Sequence, residues 1–203
     1  PEQIAPYHAG LLRVMLRHGI AHLPVWNTEF GYLIEDPTAR NTHPLIGGSF
    51  ARVLPADEAA IWLGRSLIIA ASLGIQRFYW FMWDGKDVGL TTWVGRRQNA
   101  AGVAYGTVAR WLLGKHVGAQ QSIGNVAFFP LATPGGGAAE WLVWTRDYRS
   151  QRWHPPAQWK VDAAQFLDGR HVGDPAVLAD IAAACGDDRQ AAAAFLDSDR
   201  YTQ

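Results

Sequence analysis

The sequence predicts an α/β fold with a parallel sheet, and three observations carry that expectation. Helical and strand-like segments alternate over residues 1 to 115, the return from each helix to the next strand is short, and the second strand-like run is apolar throughout. That run, Gln76 to Trp83, has the character of a strand covered on both faces, as in parallel sheets.

Taken in order, residues 3 to 19 read as a helix, with Ile4, Tyr7, Leu11, Val14 and Met15 at helical spacing and Gly19 as terminator. A strand follows at once through Leu23, Pro24, Val25 and Trp26, ending in Asn27-Thr28-Glu29-Phe30-Gly31. A carboxylate at the end of an apolar strand costs free energy unless it has a task, and Asn27 and Thr28 are placed to hydrogen-bond it while Gly31 lets the chain turn away. The polar segment Leu33 to Leu54 is too long for a tight connection and reads as a functional loop over that strand end.

Asp57 to Leu73 is a second helix, with Asp57 and Glu58 in its first turn and Gly74 just past its end. The apolar strand to Trp83 closes on Asp84-Gly85, and Ala100 to Leu113 forms a third helix stopped by Gly114. Beyond Lys115 the pattern changes. Asn125 to Leu131 and Glu140 to Trp144 read as an antiparallel hairpin around Pro134-Gly135-Gly136-Gly137, Gln151 to Val161 as a further strand, and Pro175 to Ala184 and Arg189 to Leu196 as alanine-rich helices. Three units are expected: residues 1–115, a small β segment over 116–163, and a helical tail over 164–203.

Composition narrows the function classes. The 203 residues carry 18 basic and 18 acidic side chains, so no formal net charge recruits nucleic acid or an anionic membrane. No apolar run reaches the roughly 18 residues of a membrane span, and Cys185, the single cysteine, rules out an intrachain disulfide and a Cys-based zinc cluster. His18 and His22 are four apart, but Gly19 and Pro24 interrupt the helix, so neither a metal nor any other cofactor is expected. Gly47-Gly48-Ser49 lacks the Lys of a phosphate loop, and Ser66, Ser72 and Ser122 sit in no nucleophile elbow. Arg96-Arg97 and Lys115-His116 read as solvated basic spots or helix C-terminal charges rather than as an anion site. Ten tryptophans remain as material for core packing or for stacking on sugar rings.

Val25 to Gly31 resembles the seventh strand of the (β/α)8 barrel in clan A glycoside hydrolases, where a Thr-Glu-x-Gly type sequence carries the nucleophile. Arg77 to Asp84 looks like the eighth strand of the same proteins. The resemblance continues through Asn99 to Tyr105, Arg110 to Gly114, Pro134 to Gly136 and Trp141 to Trp144, covering about residues 1 to 160. It implies the C-terminal part of a (β/α)8 barrel followed by a small β segment, a retaining glycosidase activity with Glu29 as nucleophile, and a sugar subsite lined by Trp80 or Trp83 with Asn27 orienting the nucleophile.

The resemblance also places the general acid on the fourth strand, in an Asn-Glu pair that these residues do not contain. Glu35, Asp36, Asp84 and Asp87 do not match that position, so the chain by itself is expected to be inactive. The alternative is a noncatalytic carbohydrate-binding or structural module derived from a glycosidase. Phe166 to Tyr201 is similar to the C-terminal helices of DsbA-like thioredoxin-fold oxidoreductases, although the sequence has no Cys-x-x-C for redox catalysis. The expected partner is a carbohydrate, and unpaired strand edges are expected to drive self-association.

Overall fold

A computed structural model describes residues 1–38, 53–136, 138–149 and 164–166. Helix α1 (Ile4–Arg17) leads into β1 (Trp26–Phe30), the two-residue strands β2 (Leu33–Ile34) and β3 (Val53–Leu54), α2 (Ala56–Ser72), β4 (Arg77–Trp80) and α3 (Ala100–Leu112). Strands β1 and β4 pair in parallel across the α2 crossover, which is the α/β arrangement the alternating pattern implied.

Helix α2 begins at Pro55 without a side-chain cap, and Asp57 and Glu58 face the positive end of its dipole. It stops where Gly74, at φ +73°, takes a left-handed conformation that L side chains rarely adopt, and Ile75 N–H donates back to the Ala70 carbonyl at 3.1 Å. Helix α3 is capped by Asn99, whose Oδ1 accepts from Gly102 N–H at 2.9 Å. The same amide donates to the Gly89 carbonyl at 2.8 Å, tying the helix start to the preceding loop.

After α3 the chain enters a five-stranded sheet. Strands β5 (His116–Val117) and β6 (Gln121–Ile123) share one edge of β7 (Val126–Ala132), which forms an antiparallel hairpin with β8 (Ala138–Thr145). Strand β9 (Ala164–Phe166) adds to β8 in parallel, so the sheet reaches into the stretch expected to open the helical tail. Gln151 to Val161, the two alanine-rich helices, Cys185 and Gly47 to Ser49 lie outside the described residues.

Two cores meet on α2 and α3. One joins Ile68 and Ile69 of α2 and Val108 of α3 to Val117, Phe129, Leu131, Leu142 and Trp144 of the sheet. The other gathers Ile34, Leu54, Ala59, Leu63, Leu90 and Ala101 where the loops after β1 and β4 pack on the helices. Burying these side chains supplies the main driving force, at roughly 1.5–3 kcal/mol for each large apolar residue fully withdrawn from water.

Three expectations need correction. The run Gln76 to Trp83 is not a strand covered on both faces: it contributes four residues, of which Arg77 and Tyr79 are exposed and Phe78 and Trp80 half-buried. Leu33 to Leu54 does not begin and end as a polar loop, because β2 pairs with β3 in parallel and Leu33, Ile34 and Leu54 are buried. Only Ile4 and Met15 of α1 are buried, leaving Tyr7, Leu11 and Val14 of its apolar stripe in solvent.

Candidate functional site

The C-terminal ends of β1 and β4 lie side by side, and the residues expected to act are found there. Register runs Trp26 to Arg77, Asn27 to Phe78 and Phe30 to Trp80, so β1 carries one extra residue between Asn27 and Phe30. Such a bulge re-aims side chains. Thr28 and Glu29 are both exposed, Asn27 is half-buried opposite Phe78, and the rings of Phe30 and Phe78 pack 4.8 Å apart. Among the described residues the Glu29 carboxylate has no hydrogen bond or ion pair, and neither Asn27 nor Thr28 bonds it. The expected local support is therefore missing: Asn27 is held beside the neighbouring strand, and the bulge carries Glu29 into solvent.

The strand ends are held by aromatic packing. Tyr32 meets Phe30, Trp62 and Trp80 edge to face at 5.2, 5.2 and 5.8 Å. Its hydroxyl lies 2.8 Å from Ser66 Oγ, which donates to the Trp62 carbonyl at 2.7 Å. Burial pushes the Tyr32 phenol up from its ordinary value. Gly31 is required at its position because a Cβ there would collide with the Phe81 carbonyl oxygen.

The structure separates the two sugar-lining candidates. Trp80 is a packing residue: its Nε1 donates to the Val88 carbonyl at 2.9 Å and its ring lies against Phe30 at 6.2 Å. Trp83 is 55% exposed, and its carbonyl accepts from Leu90 N–H at 2.8 Å, so its backbone is held while its indole faces solvent.

The loop from Asp84 to Gln98 folds back over this end of the strands. Asp36 Oδ2 accepts from Trp93 N–H, Thr38 Oγ1 accepts from Val94 N–H at 3.0 Å, and Ile34 N–H donates to the Asp87 carbonyl. The loop after β1 thus clasps the loop after β4. Arg96 donates to the Asp84 carbonyl at 2.9 Å and to its carboxylate at 3.3 Å, and lies 4.5 Å from the Trp93 ring centroid, with Lys86 Nζ 5.0 Å from the same ring. Arg96, expected to be a solvated basic spot, is held in place here, and Trp93, one of the tryptophans expected to pack or to stack on sugar, instead faces two cations, of which Lys86 carried no expectation. Gly95 beside Trp93 and two arginines was the available signal.

Of the nearby carboxylates, Glu35 is exposed, Asp36 and Asp84 are held by loop partners, and Asp87 is buried. His18 and His22 are exposed just past α1, and among the described residues no group of three His, Cys, Asp or Glu could hold a metal. A shallow depression of about 520 Å³ runs along α1 between Gly10, Arg13, Leu16 and Arg17. One helix supplies its whole lining, and none of Glu29, Trp80 and Trp83 contributes to it, so it is a helix groove rather than a ligand pocket. No helix of the described residues is long and apolar enough to cross a membrane. Comparison of the chain with protein-family models, with curated proteins and with solved structures finds no match.

Proposed function

We propose that the chain is the C-terminal part of a (β/α)8 barrel from a retaining glycoside hydrolase, with Glu29 as the nucleophile that cleaves an O-glycosidic bond. The observation that supports this reading most is the exposed Glu29 at the C-terminal end of the first of two parallel strands, with exposed Trp83 just past the end of the second. In that chemistry a Glu29 oxygen bonds to the anomeric carbon as the bond to the leaving oxygen breaks. A second carboxyl group about 5–5.5 Å away protonates the departing oxygen, and water later releases the sugar. Trp83 offers an indole face to the sugar ring, while Trp80 and Tyr32 keep the strand ends in place.

Activated 2-fluoroglycosides with a dinitrophenolate leaving group test this directly, because such a group departs without protonation. The expected result is a fluoroglycosyl adduct on the peptide carrying Glu29, absent from Glu29→Gln. No adduct with gluco-, galacto-, manno- or xylo-configured probes overturns the assignment. A noncatalytic carbohydrate-binding module is the second reading, favoured by the exposed indole of Trp83. Quenching of tryptophan fluorescence by oligosaccharides without any adduct selects it.

A further inference from the structure

The tip of the loop after β4 is built more firmly than its exposure requires. Thr92 N–H donates to the Arg97 carbonyl at 2.8 Å, Thr92 Oγ1 donates to the Val94 carbonyl at 2.9 Å, and the Trp93 and Val94 amides are held by Asp36 and Thr38 across the neighbouring loop. Arg96 sits at φ +51°, a left-handed conformation uncommon for a residue with a Cβ, and its guanidinium is held against Asp84. Strain of this kind persists where surrounding bonds impose it, and here they impose the direction of a cation.

The result is a fixed pair of positive groups. Lys86 and Arg96 both lie over Trp93, and a ring so engaged orders cations rather than waiting for a sugar. Lys86 makes no ion pair among the described residues, and half of the Arg96 side chain is exposed. The free aromatic face belongs to Trp83, next to Asp84, which anchors Arg96. The exposed indole of Trp83 therefore adjoins in sequence the residue that holds Arg96, so that one loop carries an aromatic face for a sugar ring and two cations for a negative substituent.

We infer that Lys86 and Arg96 form a subsite for the carboxylate or sulfate of an acidic saccharide, whose ring stacks on Trp83. The inference rests on the carbohydrate reading above and adds the charge class of the ligand. Formal neutrality of the whole chain does not oppose it, because recognition depends on where the cations are held.

The test is a titration of intrinsic tryptophan fluorescence with oligogalacturonate, a hyaluronan oligosaccharide and a carrageenan oligosaccharide, each beside its carboxyl-reduced or desulfated neutral counterpart. At least one acidic saccharide is expected to bind about tenfold more tightly than its counterpart, the scale of one charge-assisted hydrogen bond. The first two probes against the third separate carboxylate from sulfate as the group held. The Lys86→Met/Arg96→Met double variant, with its circular dichroism unchanged, is expected to lose that preference and keep its affinity for the neutral saccharide. Equal affinity for every acidic and neutral pair, or a preference that survives in the double variant, overturns the inference. If that happens while neutral fluoroglycosides still label Glu29, the glycosidase reading stands; a confirmed preference with no labelling leaves the subsite and retires the nucleophile.

Discussion

The guanidinium of Arg65 lies 3.9 Å from the ring centroid of Tyr148, and both reach Glu2: Arg65 Nη1 at 3.4 Å and the Tyr148 hydroxyl at 3.1 Å. Arg65 is completely buried in the middle of α2 and also faces the Trp144 ring at 5.4 Å. One charged side chain thereby joins the segment leading into α1, the central helix and the far end of β8.

Replacing Arg65 with alanine is expected to cost about 3 kcal/mol, since it removes the pairing, the ring stacking and the packed stem together. Arg65→Met is expected to cost about 1 kcal/mol or less, because the stem is kept and the desolvation of a buried charge disappears with the pair. Urea unfolding followed by tryptophan fluorescence checks both. An alanine variant as stable as wild type would remove Arg65 from the account of how helix and sheet are joined.

Burial, with the Glu2 carboxylate adding to it, raises the Tyr148 phenol to about 12, although 38% of the residue stays exposed. A folded-state value above the unfolded one means that the folded protein holds the proton more tightly. The associated stability is complete below about pH 10, the unfolded value, and is lost as pH rises through about 12. Unfolding midpoints measured between these limits are expected to fall with pH, less steeply in Tyr148→Phe. Tyr32, shifted in the same direction, accounts for part of the slope that remains.

Two glycines are expected to respond in opposite senses. Gly31→Ala places a methyl group against the Phe81 carbonyl and is expected to destabilise by about 1–3 kcal/mol. Gly10→Ala, in α1 with only Arg13 Nη2 at 3.9 Å, is expected to stabilise by up to about 1 kcal/mol through helix propensity. Thermal unfolding of the pair measures both. A neutral Gly31→Ala would show that the ends of β1 and β4 can separate without cost.

Tyr7, Leu11, Val14 and Leu16 of α1 are exposed, as are Ile20 and Leu23 beyond it and Trp26 on β1, which pairs only with β4 among the described strands. An apolar surface beside an open strand edge favours association. Sedimentation velocity over a hundredfold concentration range is expected to show it, with Leu11→Lys and Leu16→Glu reducing it. A species that stays monomeric throughout would mean that this surface is not adhesive.

The β1–α2–β4 unit and the β7–β8 hairpin were legible because each rests on a run of residues long enough to show its period. Strands β2, β3, β5 and β6 were not, since two or three residues carry no period and their pairing depends on chain brought from elsewhere. Exposure was legible only in part: the apolar run at Phe78 looked fully covered, yet a sequence does not state what lies against Arg77 and Tyr79. Glu29 stood out because a carboxylate at a strand end breaks a local rule. Arg65 did not, although it stands on the buried arc of α2 beside Ser66 and between Leu63 and Ile68. Lys86 and Arg96 were legible only as charges, because the Trp93 ring that orders them becomes their neighbour through the turn of the loop.

The two cores that meet on α2 and α3 divide the molecule into a spine and a rim. The helix pair belongs to both cores, whereas the side chains of Glu29, Trp83 and Trp93 are members of neither. Opening events large enough to admit a ligand can therefore stay local, leaving the slowest-exchanging amides in the helices undisturbed. The chemistry of the rim is free to vary by substitution in a few loop residues while the spine keeps its fold.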